Sequence, residues 1–198
     1  LCKKLGIDVY EVADGVGMDH RIERKFLDSG AGFGGSCFAK DVRGLACFRE
    51  EQGEEARILN DTIEVNEDQK TKLVELLEEK FDTLDGKTIA VLGLAFKPGT
   101  DDIRQSPAID IISELKEKGA KVKAYDPKAM ENMKEKHPDI TYLSSYKSAL
   151  EGADAGLIVT DWEEFGSISR DNLRKMNRSI LVEGRRISYD TDEENREG

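Results

Sequence analysis

The sequence predicts an α/β protein in two parts: a helical segment over residues 1–85 that ends in a long connecting helix, then a parallel-sheet domain over residues 86–198. Three observations predict it. Residues 57–81 hold neither glycine nor proline for 25 positions, a glycine-rich loop upstream of them ends on a cysteine, and beyond Asp85-Gly86 short β-branched runs alternate with charged helical patterns. Strands alternating with helices imply right-handed crossovers and a parallel sheet. A chain of 198 residues suffices for one ordinary domain or two small ones, each with its own core.

In chain order, the first informative element is Gly30-Ala31-Gly32-Phe33-Gly34-Gly35-Ser36-Cys37-Phe38-Ala39-Lys40-Asp41. Its glycines open backbone conformations closed to other residues and let a ligand lie against the main chain. A helical pattern resumes at Asp41. Over residues 57–81, Ile58, Thr62, Val65, Gln69, Leu73, Leu76 and Lys80 step along at intervals of three and four. That is a helical period, on the order of 37 Å long. The seam fits either a solvated helix packed on one face or a helix paired with its copy in a second chain. Asn66 and Gln69 along it read equally well as ordinary surface residues.

Residues 88–95 form an apolar run suited to a strand buried on both faces. Ser106-Pro107 then opens a helix through Lys118, with Ser106 as N-cap and Pro107 at the first helical position, and Gly119 closes it. Residues 121–127, 155–160 and 179–182 supply three further strands. Ligands of such sheets gather at the carboxyl ends of the strands, which here carry Lys97, Asp126, Asp161 and Arg185. The unit is of Rossmann type, yet its first turn reads Gly93-Leu94-Ala95-Phe96-Lys97-Pro98-Gly99 and keeps only the first glycine of GxGxxG. The usual mode of NAD binding is therefore not expected in this domain. Trp162 either covers the sheet end or joins the core, and the acidic residues 189–198 are expected to fray.

Composition narrows the function classes. With 41 acidic and 30 basic side chains the net charge is −11, which repels nucleic acid and anionic membrane surfaces. No apolar run approaches the roughly 20 residues that span a bilayer, and residues 1–20 lack the pattern of a signal peptide, so the chain reads as soluble and cytoplasmic. Three cysteines and two histidines, suitably spaced nowhere, argue against a metal site.

Cys37 closes the glycine loop just before a helix, with Lys40 beside it. The helix dipole and the positive charge would favour the thiolate, which is how a nucleophile is made. The alternative is a small buried hydrophobe in a tight loop. Asp41 either complements the dipole or orients water beside the sulfur. Cys2 and Cys47 lack the loop and the lysine and are expected to pack.

Two motifs together go further. The segment from Gly30 to Asp41 resembles the cysteine loop of the UDP-glucose/GDP-mannose dehydrogenase family, on its UDP-glucose side. Leu92-Gly93-Leu94-Ala95-Phe96-Lys97-Pro98-Gly99-Thr100-Asp101-Asp102-Ile103-Arg104, followed by Ser106-Pro107-Ala108, resembles the opening of that family's C-terminal nucleotide-sugar domain. Gly184-Arg185-Arg186 resembles its closing element, with Arg186 where asparagine is common; Ala39 stands where proline is common.

The resemblance implies oxidation of UDP-glucose to UDP-glucuronate with two NAD⁺ and no metal. Cys37 is then the nucleophile that passes through a thiohemiacetal and a thioester, and Asp41 helps activate the hydrolytic water. It further implies that Lys97 and Arg185 hold the diphosphate, with Phe96 beside them, that Phe26, Phe33 and Gly34 close over the sugar, and that Arg21 reaches the substrate across a homodimer interface. Lys40 and Arg104 match cofactor-contacting positions. The rivals are a dehydrogenase of GDP-mannose or of a UDP-N-acetylhexosamine, whose nucleophile motifs tend to read Cys-Leu or His-Cys-Ile rather than Cys37-Phe38, and a non-catalytic UDP-binding and dimerisation module. The family's N-terminal NAD-binding domain and its catalytic lysine and asparagine have no counterpart in these residues. The chain is therefore expected to be a C-terminal portion, inactive by itself.

Overall fold

The computed structural model describes residues 1–187 and 196–197. Two short helices, α1 (Cys2–Leu5) and α2 (Val9–Gly17), open the chain, and Asp8 caps α2 by accepting from the Tyr10 amide at 2.8 Å. An irregular stretch carries the glycine loop to α3 (Phe38–Glu51), and α4 (Arg57–Glu78) follows. The gap in glycine and proline thus becomes one helix of 22 residues, about 33 Å long.

Beyond it lie β1 (Thr88–Leu92), α5 (Pro107–Glu117), β2 (Lys121–Tyr125), α6 (Met130–Lys136), β3 (Thr141–Tyr142), α7 (Tyr146–Leu150) and β4 (Ala155–Ile158). A 3-10 turn (Glu163–Ser167), α8 (Arg170–Arg174), β5 (Leu181–Glu183) and β6 (Arg196–Glu197) complete the chain. The sheet is parallel in the order β3-β2-β1-β4-β5-β6. The order reverses between β1 and β4, the switch point where such sheets leave a crevice.

Side chains of β1 alternate between two cores, which is the period-two signature of a strand buried on both faces. Ile89 and Val91 pack with Ile111, Ile112 and Leu115 of α5, whereas Ala90 and Leu92 pack with Tyr146, Leu150, Phe165 and Leu173. The first core also takes in Leu73, Val74 and Leu77 of α4 and Ala31 of the glycine loop. The second half of the long helix is therefore part of the sheet's own core. Lys70, almost buried, ties α4 to α5 by pairing with Asp110 at 2.8 Å and with Glu67 at 2.5 Å. Burial disfavours its charge, but the two carboxylates outweigh burial and raise its pKa.

The α4 seam divides. Leu73 is buried, but Ile58, Val65 and Gln69 are exposed, and the stripe turned inward is Asn66, Lys70, Leu73, Val74 and Leu77. Asn66 is only 7% exposed, so it is no surface residue.

Ser106 caps α5, accepting from the Ala108 amide, Pro107 follows at its first turn, and Gly119 turns the chain with φ 78°. β1 stops at Leu92, short of the apolar run's end, because Gly93 at φ 90° turns the chain away. The pattern did not reveal β3, too short for a period, nor α6, α7 and α8, each of seven residues or fewer. Cys47 is exposed on α3, with Sγ 3.7 Å from Glu51 Oε1, and not packed as expected, because the buried face of α3 is Ala39 and Ala46. Of the acidic tail, residues 189–195 and 198 lie outside the described residues, while Arg196–Glu197 pair with β5. Among the described residues no helix is long and apolar enough to cross a membrane.

Candidate active site at the cysteine loop

The glycine loop lies across the carboxyl ends of the sheet, and main-chain contact holds it there. Gly35 donates its amide to the Arg104 carbonyl at 2.8 Å. At φ 88° a side chain on Gly35 would be strained, and its Cβ would come within 2.7 Å of the Phe96 ring. A Cβ on Gly34 would lie 2.3 Å from the Gln105 carbonyl oxygen, and one on Gly30 would lie 2.7 Å from Arg185 Nε. The glycines thus let two backbones and the Arg185 side chain meet without intervening atoms.

From the other side α4 grips the loop. Asn66 Oδ1 accepts from the Phe33 amide at 2.7 Å, and Asn66 Nδ2 donates to the Phe33 carbonyl at 3.2 Å. Phe33 then meets Phe38 edge to face, with ring centroids 4.7 Å apart.

Cys37 sits at the start of α3 and is exposed, which removes the alternative of a buried core filler. Its neighbour Ser36 places Oγ 3.7 Å from Sγ. Arg104 forks onto Asp102, with Nη2 to Oδ2 at 2.6 Å and Nε to Oδ1 at 3.0 Å. That fork holds the Asp102 carboxyl below the usual carboxylate range and raises Arg104, and Cys37 adds to the rise of Arg104. Lys40 and Asp41 lie exposed on the first turn of α3, paired with each other at 3.4 Å.

Phe96 is half-buried beneath the loop, and the Lys97 ammonium lies 5.4 Å from its ring centroid. Arg185 is half-buried against Gly30. Among the described residues neither Lys97 nor Arg185 has a carboxylate partner within ion-pair distance, so both cations are available to an anionic ligand. Arg186 is not: it makes a two-pronged pair with Asp8 at 2.9 Å and lies over the Tyr10 ring at 4.1 Å.

The structure thus gathers Phe33, Gly34, Cys37, Phe96, Arg104 and Arg185 around one loop, with Lys97, Lys40 and Asp41 at its rim. It does not bring Arg21 or Phe26 there. Arg21 is spent on Asp19 at 2.6 Å, and Phe26 is fully exposed with φ 67°. The sequence placed Asp126 among the strand-end groups open to a ligand and Asn66 on the surface, and the structure buries both. The carboxylate of Asp126 is completely buried and accepts from Leu94, Ala95, Lys128, Ala129 and Trp162. Among the described residues no cluster of three or more His, Cys, Asp or Glu is arranged to hold a metal.

The sequence profile of the UDP-glucose/GDP-mannose dehydrogenase family, UDP binding domain, matches residues 90–190, and that of the family's central domain matches residues 1–68. The chain is 49% identical over 187 residues to the UDP-glucose 6-dehydrogenase AglM of Haloferax volcanii, covering 94% of this chain and 43% of that protein. The solved structure of a UDP-glucose dehydrogenase from Pyrobaculum islandicum superposes with TM-score 0.91 at 36% identity, over all of this chain and 44% of that one. A GDP-mannose dehydrogenase from Pseudomonas aeruginosa superposes with TM-score 0.74 at 27% identity, again over all of this chain and 47% of that one. The chain spans less than half the length of each of these proteins. With both family domains matched in order and the fold shared throughout, this chain belongs to the UDP-glucose/GDP-mannose dehydrogenase family.

Proposed function

We propose that this chain grips the nucleotide sugar and carries the nucleophile of an NAD-dependent UDP-glucose 6-dehydrogenase. One observation carries the reading: the loop ending at Cys37 is clamped onto the turn bearing Phe96, Lys97 and Arg104, with Arg185 against its first glycine. A diphosphate between Lys97 and Arg185 meets two cations, and charge-assisted hydrogen bonds to phosphate are the strong ones. In this reading the sugar's C6 is presented to the exposed sulfur of Cys37. UDP-glucose is favoured over GDP-mannose by Cys37-Phe38 and by the higher similarity to proteins named for UDP-glucose.

Bound NAD⁺ supplies a hydride acceptor for each of two oxidations. By resemblance Arg104 and Lys40 are the cations this chain would offer it, each paired here with a neighbouring carboxylate, Asp102 and Asp41. The turn after β1 does not fit as the dinucleotide's main seat, because the Leu94 and Ala95 amides are already taken by Asp126. Cys37 Sγ adds to the aldehyde carbon formed in the first oxidation, and Arg104 opposes charge accumulating beside it. Oxidation of that adduct leaves a thioester, and water directed by Asp41 releases UDP-glucuronate and the thiol. The 198 residues alone therefore bind the nucleotide sugar without turnover.

A homodimer fits the same picture. Val12, Leu45, Phe48, Ile58 and Val65 of α2, α3 and α4 are exposed apolar side chains. A partner's helical segment would cover them and bring its Arg21 and Phe26 into play.

Calorimetric titration of the chain with UDP and with GDP tests the reading. UDP is expected to bind more tightly by over tenfold, about 1.4 kcal/mol. Equal affinity would remove the base preference, and no binding of either would remove the substrate assignment. NADH formation by the chain mixed with NAD⁺ and UDP-glucose would overturn the inactivity of the portion.

A further inference from the structure

We propose that Asp126 is a positioning residue for this site, setting both the substrate-gripping turn and the cysteine loop; the inference deepens the reading above and rests on it for the site's use. In nucleotide-binding sheets of this type an acid near the end of the second strand faces the ligand, and the amides of the first turn face its phosphates. Asp126 follows β2 directly, in that place, but its side chain is turned inward and completely buried.

Its Oδ2 accepts from the Leu94 amide at 2.6 Å, the Ala95 amide at 3.1 Å and Trp162 Nε1 at 2.9 Å. Its Oδ1 accepts from the Lys128 and Ala129 amides, both at 2.8 Å. Five donors on one carboxylate leave it no capacity for a ligand. A built-in carboxylate thus occupies the first-turn amides that a phosphate would otherwise meet.

The consequence runs outward along the chain. Ala95 is held at both ends, since its carbonyl accepts from Thr160 Oγ1 at 2.6 Å. The next residue is Phe96, whose amide donates to the Asp102 carbonyl at 3.1 Å and whose ring sets the floor under Gly35. Gly35 in turn hangs on Arg104 two residues before Cys37. One buried carboxylate therefore places Phe96 and Lys97 through the Leu94 and Ala95 amides just before them, and the cysteine loop through the contacts Gly35 makes with Phe96 and Arg104.

Asp126→Asn keeps the volume but swaps an acceptor for a donor, leaving buried amides facing an NH₂ group. Leu150→Val, in the core on the sheet's other face, serves as a variant that loses stability without touching the turn. Amide hydrogen exchange over residues 30–41 and UDP affinity are measured on the 198-residue chain under conditions where urea titration shows each variant folded. Asp126→Asn is expected to speed loop exchange at least tenfold and to weaken UDP at least tenfold, while Leu150→Val does neither. Unchanged loop exchange in Asp126→Asn, or equal acceleration in both variants, would overturn the proposal. Failure of the substrate reading shows separately, as an unaltered chain that binds no UDP, and loop exchange then decides by the same two results.

Discussion

Asn66, in the middle of the long helix α4, exchanges two hydrogen bonds with the backbone of Phe33, 33 residues earlier, at 2.7 and 3.2 Å. The side-chain amide acts there as a peptide group would in a ladder, satisfying both the donor and the acceptor of one loop residue. Asn66→Ala leaves both unpaired near the protein interior, at a cost of about 1–3 kcal/mol. Urea unfolding of the variant is expected to show that loss together with faster hydrogen exchange over the loop; a midpoint unchanged from the parent would show that water replaces the amide fully.

Gly35 is the second anchor. Gly35→Ala places an ordinary residue at φ 88° and drives a methyl into the Phe96 ring. The backbone strain alone costs about 1–2 kcal/mol. Loss of stability and of UDP affinity are expected together, both read from thermal shift with and without nucleotide.

Lys97→Ala and Arg185→Ala each remove a cation with no ion-pair partner inside the described chain. A charged hydrogen bond is worth about 1.5–3 kcal/mol, so each variant is expected to weaken UDP by roughly ten- to hundredfold without lowering stability. Calorimetry at two salt concentrations checks this, since a screened ion pair makes the loss smaller at high salt. Arg186→Ala, by contrast, should spare UDP binding if Arg186 serves only Asp8 and Tyr10.

Cys37 and Cys47 are both exposed, so exposure does not separate them. The charges near them do: Cys37 contributes to the raised pKa of Arg104, whereas Glu51 Oε1 lies 3.7 Å from Cys47 Sγ. Anionic iodoacetate is therefore expected to prefer Cys37 over Cys47 by more than neutral iodoacetamide does, as read by peptide mass spectrometry. The same preference with both reagents would mean that the arginine does not act on the sulfur.

His137 is expected to make stability depend on pH. Burial pushes its pKa below the ordinary histidine value, with the Ile109 carbonyl opposing at 3.2 Å. The unfolded state then binds the proton first, so stability is full above about 6.5, the unfolded value, and falls as pH drops through the lower folded value. Replacing His137 with Gln is expected to flatten urea midpoints between about pH 7 and 5; a slope that persists would assign the dependence elsewhere.

The cysteine loop and the long helix were legible because each is a local pattern: glycine spacing in one, an absence of breakers in the other. The cap of α5 was legible for the same reason, Ser106 and Pro107 being adjacent. The inward face of α4 was not. Ile58, Val65 and Asn66 all lie within a helical period, and which of them is buried depends on where the sheet and the loop press against the rod. Arg21 and Phe26 remained apart from the site because Arg21 pairs with Asp19 and Phe26 is exposed among the described residues.

By itself the sequence determined the long helix, the succession β1, α5, β2, β4 and β5, the missing dinucleotide fingerprint and a sulfur at the mouth of a helix, since backbone conformation responds mainly to neighbours a few residues away. Tertiary structure alone decided that Asp126 turns inward onto amides about 30 residues earlier, that Arg186 joins Asp8 across 178 residues, and that Arg104 carries the cysteine loop. Such pairings depend on burial and on which donors are left unpaired once the sheet has formed, quantities that exist only after the chain has closed on itself.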